Sequence, residues 1–134
     1  MVEPGIEIAD IIIDCSDPER LATFWGSLLG RPVEGRKGPY VWLRRREDGV
    51  GVGFQHVDDP KSGKNRLHLD ISGPDIVRVK ERVERLGGHR AEGYEDGGFL
   101  VMADPEGNEF CVISDGPVEF DDDGRTKYLE GLEL

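Results

Sequence analysis

Long apolar segments are missing from this sequence. It has no apolar run of about 18 residues, so no transmembrane helix is predicted. The opening stretch, MVEPGIEIAD, has neither the basic start nor the apolar centre of a secretory signal peptide. We therefore expect a cytoplasmic protein that has no membrane partner.

The chain is also poor in positive charge. It carries 17 lysines and arginines against 28 aspartates and glutamates, which gives a formal net charge of −11. Nonspecific nucleic-acid binding depends on cations that neutralise phosphates, so this balance argues against a nucleic-acid partner. An acidic soluble protein is the expected class, and 134 residues are enough for one domain with its own core.

Cysteine is scarce as well, with Cys15 and Cys111 as the two examples. The strand phases described below place Cys15 on the core side of its strand and Cys111 on the other side of its own. We therefore expect no disulfide between them, which agrees with a reducing compartment.

What the sequence does contain is one pattern written twice. ADIIIDCSD and NRLHLDISGPD are both short alternating stretches that lead to an aspartate, and the separation of Asp10 from Asp17 equals that of His68 from Asp75. Each of these aspartates begins a helical pattern that meets a glycine at the same distance, Gly30 in the first copy and Gly88 in the second. The predicted organisation is a single domain over residues 1–115, with module one at 7–57, a linker at 58–64, module two at 65–114 and an acidic tail at 116–134.

Alternation along the first strand of each copy separates core from polar positions. In residues 7–15 the core phase is Ile11, Ile13 and Cys15, and the opposite phase is Asp10, Ile12 and Asp14. In the second copy the predicted core phase is Leu67, Leu69 and Ile71, and the opposite phase is His68, Asp70 and Ser72. The opposite phase of each strand supplies the candidate site residues.

Helix signals follow each strand. Asp17 is a predicted N-cap with Pro18 at the first helical position, and Gly30 ends that helix. Asp75 caps the second helix, which ends at Gly87 and Gly88. Further strands are expected at 40–45, 51–57, 90–94, 99–103 and 109–113, with turns at 95–98 and 104–108. The acidic tail is expected to be loosely ordered, or docked through Phe120, Tyr128, Leu129 and Leu132.

The stretches CSDPERLATFWGSLLG, KNRLHLDI and DPEGNEFCVI, in this order and spacing, resemble the glyoxalase-like domains of the vicinal oxygen chelate superfamily. That superfamily contains glyoxalase I, extradiol dioxygenases and bleomycin resistance proteins. The resemblance implies an α+β fold of two βαβββ modules that form a half-barrel sheet pair around a central cavity. It also implies a homodimer and a small-molecule ligand.

Metal enzymes of this superfamily take ligands from the first and last strand of each module. Carried over to this chain, the first strands offer Asp10 and His68. Aligning Phe54-Gln55 with Phe110-Cys111 needs a two-residue shift from the main offset and gives Gln55 and Cys111 for the last strands. A divalent metal is therefore the implied cofactor, although a carboxylate and an amide beside a soft sulfur match no single ion well.

Other residues are predicted to line the pocket. Tyr40, Trp42 and Arg44 share one phase, and the offset that relates Asp10 to His68 makes Leu100 and Met102 the counterparts of Trp42 and Arg44. Asp14 and Asp70 follow the predicted ligands in the polar phase, and Glu109 lies in phase with Cys111. His68 is a ligand, a general base, or a structural histidine bonded to Asp70, Asp10 or water. Cys111 is more simply a small buried thiol than a nucleophile.

Three functions remain open at this point. One is a lyase or isomerase that acts beside a carbonyl and uses His68 as ligand or base. Another is a non-catalytic protein of the bleomycin resistance type that binds or sequesters a small molecule. A third possibility is an accessory interaction domain with a vestigial cavity.

Overall fold

The computed structural model describes residues 5–47, 49–93, 99–114, 118–120 and 126–128. The chain divides into two compact units, Met1–Lys61 and Ser62–Leu134. Each unit contains one βαβββ module, so the α+β fold of two modules predicted from the sequence is confirmed. None of the helices in these ranges is both long and apolar enough to cross a bilayer.

The first unit holds one helix and four strands. These are β1 (Asp10–Cys15), α1 (Pro18–Leu29), β2 (Val33–Lys37), β3 (Tyr40–Leu43) and β4 (Gly51–His56). The strands form a sheet in the order β1-β4-β3-β2, with β1 parallel to β4 and the other pairs antiparallel.

Helix α1 begins and ends where the sequence predicts. The Asp17 side chain accepts a hydrogen bond from the Arg20 N–H at 3.2 Å, and Pro18 occupies the first turn. Gly30 ends the helix in the left-handed conformation, with φ of 68°. The apolar face of the helix includes the buried residues Phe24 and Trp25, whose rings meet edge to face.

The second unit repeats this plan. Its module consists of β5 (Asp70–Gly73), α2 (Ile76–Arg85), β6 (His89–Arg90), β7 (Phe99–Ala103) and β8 (Glu109–Ser114). The sheet order β5-β8-β7-β6 matches that of the first unit, with β5 parallel to β8. Asp75 caps α2 by accepting from the N–H groups of Val77 and Arg78 at 3.1 and 3.3 Å.

The first strand of module two is shorter than the alternation suggests. Strand β5 begins at Asp70, and Leu67, which the sequence pattern assigns to the core, is 71% exposed. The pairing continues one residue upstream, because the Cys111 N–H donates to the Leu69 carbonyl oxygen at 2.8 Å. Leu67 is therefore not part of the core of the second unit, and the prediction of a core role for it was wrong.

The turn at 104–108 is held by a buried carboxylate. Asp104 is fully buried and accepts hydrogen bonds from the backbone N–H groups of Glu106 and Asn108 at 2.9 and 3.0 Å. The Asn108 side-chain amide donates to the same carboxylate. This local network makes the turn tight and fixes where β8 begins.

The region predicted as an acidic tail contains two short strands that the sequence analysis did not place. Strand β9 (Val118–Phe120) pairs antiparallel with β10 (Thr126–Tyr128). Leu129 and Leu132 lie outside the described residues, as does the predicted turn at 95–98. The proposed docking of this region stays a prediction.

Candidate functional site

The face of the first sheet that points away from α1 carries most of the residues predicted to line a pocket. Leu43 lies against α1, because a Cβ atom on Gly26 would come within 3.1 Å of the Leu43 Cδ2 atom. Side chains alternate along a strand, so Tyr40 and Trp42 point to the opposite face. The cross-strand pairs Tyr40↔Gln55 and Asp14↔Gln55 put these residues on that face too.

Two aromatic rings cover part of this face. Tyr40 and Trp42 are stacked, with ring centroids 5.9 Å apart and planes inclined by 20°. Glycine at position 53 makes room for them, because a Cβ atom there would lie 2.6 Å from the Trp42 ring. Arg44 follows the end of β3, is exposed, and forms a loose ion pair with Glu34 at 3.8 Å. A ligand-binding role for these residues stays a prediction.

Asp10, a predicted metal ligand, is paired with a cation of the protein itself. Its carboxylate accepts a hydrogen bond from Arg45 Nη2, and Arg45 Nη1 also donates to the Ala9 carbonyl oxygen at 3.0 Å. A side chain at Gly51 would collide with this pair. Asp10 is not part of the group of metal-binding side chains that the described residues bring together.

His56 is the last residue of β4 and follows Gln55. Its Nδ1 atom lies 2.8 Å from the Ser16 carbonyl oxygen, and its Nε2 atom lies 3.2 Å from Asp58 Oδ1. The imidazole is therefore engaged with the end of β1 and with the residues that follow β4.

A cluster of three donor side chains lies in the second unit. One ligand atom from each of His68, Asp70 and Cys111 lies within 4.8 Å of the other two. Within the cluster, His68 Nε2 is 3.3 Å from Asp70 Oδ1. Asp70 and Cys111 are direct cross-strand partners in the parallel pair β5 and β8, so their side chains emerge side by side. His68 precedes β5 by two positions and keeps the phase of Asp70.

The Cys111 thiol is strongly held in its protonated form. Burial raises its pKa most, and the charge of Asp70 and a hydrogen bond to the same carboxylate raise it further, to about 11. The positive charge of Lys64 acts in the opposite direction. Without a bound cation Cys111 is therefore a thiol at neutral pH, which agrees with the prediction that it is not an activated nucleophile.

The cluster lies on the face of the second sheet that points away from α2. A Cβ atom on Gly73 would come within 2.8 Å of Val79 in α2, so the phase of Gly73 and Ile71 faces the helix. Asp70 and Cys111 occupy the other phase. Asp70 thus joins His68 and Cys111 as a third donor, a position that the sequence analysis assigned to the pocket and not to the metal.

Leu100 and Met102 do not share the face of this cluster, and the assignment of these two residues as counterparts of Trp42 and Arg44 was wrong. Leu100 pairs with Val112, which pairs with Ile71 on the helix side, and Met102 follows in the same phase. Both side chains are fully buried there. The residue that takes the cross-strand position of Trp42 is Val101.

The physical reason is a connection of different length. Trp42 pairs with Gly53 in the first unit, and Val101 pairs with Cys111 in the second, so the connection from β7 to β8 is one residue shorter than that from β3 to β4. The sequence separation between Gly53 and Cys111 is therefore one residue smaller than that between their partners, Trp42 and Val101. Applying the smaller separation to β3 selects residues of β7 that are displaced by one position, and such a displacement moves a side chain to the other face of the sheet. The same register makes Cys111 the counterpart of Gly53, so the two-residue shift that aligned it with Gln55 was also wrong.

A cavity of about 420 Å³ opens in the second unit on the same sheet. His89, Ala103 and Glu109 are cross-strand neighbours on β6, β7 and β8, and all three line it together with Lys64, Arg90 and Glu92. Glu109 lies two residues before Cys111 in the same phase. Sequence reasoning noted the phase of Glu109 but missed the cavity, because Lys64 was assigned to a linker and β6 was not aligned with the site.

Comparison with known proteins identifies the family. The sequence profile of the family described as "Glyoxalase-like domain" matches residues 10–113. The chain belongs to this glyoxalase-like domain family. The superfamily predicted from the sequence motifs, which includes the glyoxalase, bleomycin resistance and dioxygenase proteins, is thereby confirmed.

Solved structures share the fold of this glyoxalase-like domain. A glyoxalase-related enzyme from Fulvimarina pelagi is similar with a TM-score of 0.64 and 20% identity, covering 91% of this chain and 97% of that chain. A glyoxalase/bleomycin resistance protein/dioxygenase family enzyme from Burkholderia phytofirmans PsJN gives 0.66 and 16%, covering 81% and 98%. The trypanothione-dependent glyoxalase I of Leishmania major gives 0.63 and 14%, covering 83% and 88%. No curated protein matches the chain.

The donor set of this glyoxalase-like domain fits a divalent cation of the zinc type. Zinc accepts imidazole nitrogen, thiolate sulfur and carboxylate oxygen together, and sites with three protein ligands keep one position for water or substrate. His68, Asp70 and Cys111 supply one atom of each kind and are all partly exposed. The set does not suit magnesium or calcium, which prefer oxygen ligands throughout.

Proposed function

We propose that this glyoxalase-like domain acts on a small carbonyl compound as a lyase or isomerase, with a divalent cation held by His68, Asp70 and Cys111. The observation that carries the proposal is the cluster itself, whose donor atoms lie within 4.8 Å of one another. The chemistry that such a cation supplies is polarisation of a carbonyl oxygen.

The protein residues contribute orientation and proton handling. Asp70 Oδ1 lies 3.3 Å from His68 Nε2, and a carboxylate beside an imidazole holds the ring in one orientation. His68 is 45% exposed on its side chain, so a substrate can reach it. His68 therefore serves as a ligand in the metal-bound protein. It serves as a general base if the substrate binds with its acidic proton next to the imidazole.

The decisive experiment is metal analysis of protein purified without an affinity tag. We expect about one equivalent of zinc, and a cobalt-substituted form with a thiolate-to-metal absorption band. His68→Ala and Cys111→Ser should each lower metal affinity by about tenfold to 100-fold or more, since each removes a ligand. Asp10→Asn is the matched control, because Asp10 is paired with Arg45, and it should retain the metal.

Absence of metal after growth in zinc-replete medium would contradict the proposal. Equal loss of metal from Asp10→Asn and Cys111→Ser would also contradict it, because the donors would then not be those of the second unit.

A second candidate function is binding without catalysis. It is favoured by the stacked Tyr40 and Trp42 rings and by the ion pair of Asp10 with Arg45 at a position where metal enzymes of the superfamily have a ligand. This function predicts thermal stabilisation by a ligand without turnover. The predicted homodimer belongs to the same proposal, and light scattering after size-exclusion chromatography tests it.

A further inference from the structure

The cavity in the second unit is lined by charged residues of both signs. Among the residues that the structure describes, its ionisable lining consists of two cations, Lys64 and Arg90, two carboxylates, Glu92 and Glu109, and the imidazole of His89. Both signs of charge are therefore present on its walls. Small residues, among them Ala103 and Gly107, leave the space open.

Opposite charges are held next to each other in this cavity. Glu109 Oε2 accepts a hydrogen bond from the Asn65 backbone N–H at 2.7 Å, and Lys64 Nζ donates to the carbonyl oxygen of the same residue at 3.4 Å. One backbone residue therefore fixes an anionic group and a cationic group on a single wall. A small molecule in contact with this wall meets both signs of charge within a few ångströms.

The cavity and the donor cluster lie on the same face of the second sheet. Glu109 lines the cavity and is two residues before Cys111 on β8, so the two side chains are about 7 Å apart along the strand. A molecule seated beside Lys64 and Glu109 is therefore on the sheet face that also carries Asp70 and Cys111.

We propose that this cavity binds a zwitterionic compound of amino-acid type, with its carboxylate facing Lys64 and Arg90 and its ammonium group facing Glu92 and Glu109. The inference rests on the proposed function, since it names the substrate class of that site. A volume of about 420 Å³ is in the range of small-molecule pockets. A simple anion such as phosphate would instead face two carboxylates, and a simple amine would face two cations.

The test uses three probes of equal chain length: L-norvaline, pentanoate and 1-aminopentane. Binding to the full chain, freed of metal by a chelator, is followed by the backbone amide signals of Lys64, Ala91 and Gly107 in NMR titrations. We expect norvaline to bind about tenfold or more tightly than either singly charged probe, because a hydrogen bond to a charged group contributes about tenfold or more to affinity.

Two substitutions at exposed positions remove one charge each. Lys64→Met should abolish the advantage of norvaline over 1-aminopentane, and Glu92→Gln should abolish its advantage over pentanoate. Lys37→Met, an exposed substitution on β2 of the first unit, is the matched control and should leave the titration unchanged. Unaltered amide spectra of the free variants will show that each still folds.

Equal binding of norvaline and either singly charged probe would overturn the inference, as would norvaline-induced shifts at Tyr40 and Trp42 instead of the cavity. Because the titration is done without metal, its outcome is independent of the zinc analysis. Absence of zinc together with selective norvaline binding would remove the metal from the proposed function and leave the zwitterion site standing. Zinc binding without norvaline selectivity would leave the metal in the proposed function and remove the zwitterion site.

Discussion

The two units have the same strand order and the same helix position, but the sheet faces that point away from their helices carry different chemistry. In the first unit this face holds an aspartate paired with arginine and two stacked aromatic rings. In the second it holds an imidazole, a carboxylate and a thiol beside a charged cavity. The comparison shows that the helix-facing side fixes the fold, whereas the opposite side is free to diverge.

The helix-facing sides of β4 and β8 carry the same types of buried residue, but in a different order along the strand. The strand register makes Val52 in β4 the counterpart of Phe110 in β8, and Phe54 the counterpart of Val112. All four side chains are buried. Each core therefore holds one phenylalanine and one valine on this strand, and their order along the strand is reversed between the units. The total volume of these two side chains beneath the helix is the same in both units.

The largest expected effect comes from emptying these cores. Phe54→Ala and Phe110→Ala should each lower the free energy of unfolding by about 3–5 kcal/mol, because both rings are almost fully buried. Chemical denaturation measures the change. A loss below about 1 kcal/mol for either variant would show that the two cores are not equivalent.

A smaller effect is expected from the glycine beneath the aromatic pair. Gly53→Ala should destabilise the protein by about 1–3 kcal/mol, because the added methyl group would meet the Trp42 ring at 2.6 Å. Gly35→Ala on β2 is the control, since a Cβ atom there meets nothing within 4 Å. Similar melting temperatures for the two variants would show that the indole moves away at no cost.

The helix caps offer a weaker comparison between the units. Asp75 accepts hydrogen bonds from the N–H groups of Val77 and Arg78, and Asp17 accepts one from the N–H group of Arg20. Both alanine variants should lose about 0.5–2 kcal/mol, because each substitution removes an acceptor for the N–H groups of the first helical turn. Urea denaturation measures both losses, and an unchanged free energy of unfolding in either variant would show that its cap does not stabilise the helix.

The effect of the Cys111 thiol, which is partly exposed, appears only at alkaline pH. Its pKa is raised from 9.0 to about 11, so the folded state favours the protonated thiol. This contribution is complete below pH 9.0 and is lost as the pH rises through about 11. The thiolate absorbance, measured as a difference from Cys111→Ser, should rise near the higher value.

Asp70→Asn should move the pKa of Cys111 back toward its ordinary value, because the substitution removes the charge of Asp70. The part of the shift that burial causes should remain. An unchanged titration in this variant would show that Asp70 and Cys111 are not in contact.

Local signals in the sequence predicted the helices well. Asp17, Pro18 and Gly30 define α1 to the residue, since capping and left-handed glycine depend on immediate neighbours. The second helix ends at Arg85 with Leu86 as its cap, and the glycine with positive φ that follows it is Gly87, at 104°, one residue before Gly88, the glycine that a strict repeat of the first copy would select. The duplicated pattern therefore predicted the fold class from local information.

The candidate site was predicted less completely, because its faces depend on strand register. His68, Asp70 and Cys111 could each be selected by phase, yet their grouping required the pairing of β5 with β8. Leu100 and Met102 were misplaced by a single residue in a connection, and the partner of Asp10 is an arginine 35 positions away. No periodic pattern in one sequence carries that information.

The shorter connection between β7 and β8 shows how a change of chain length is absorbed. Val41 and Leu43 of β3 and Leu100 and Met102 of β7 are all buried, so the helix-facing phase is apolar in both units although the connections that follow differ by one residue. The turn takes up the difference, and the strands keep their faces. Such a turn therefore tolerates the removal of a residue without exposing the core, which makes it a suitable place for lengthening or shortening the chain in an engineered variant.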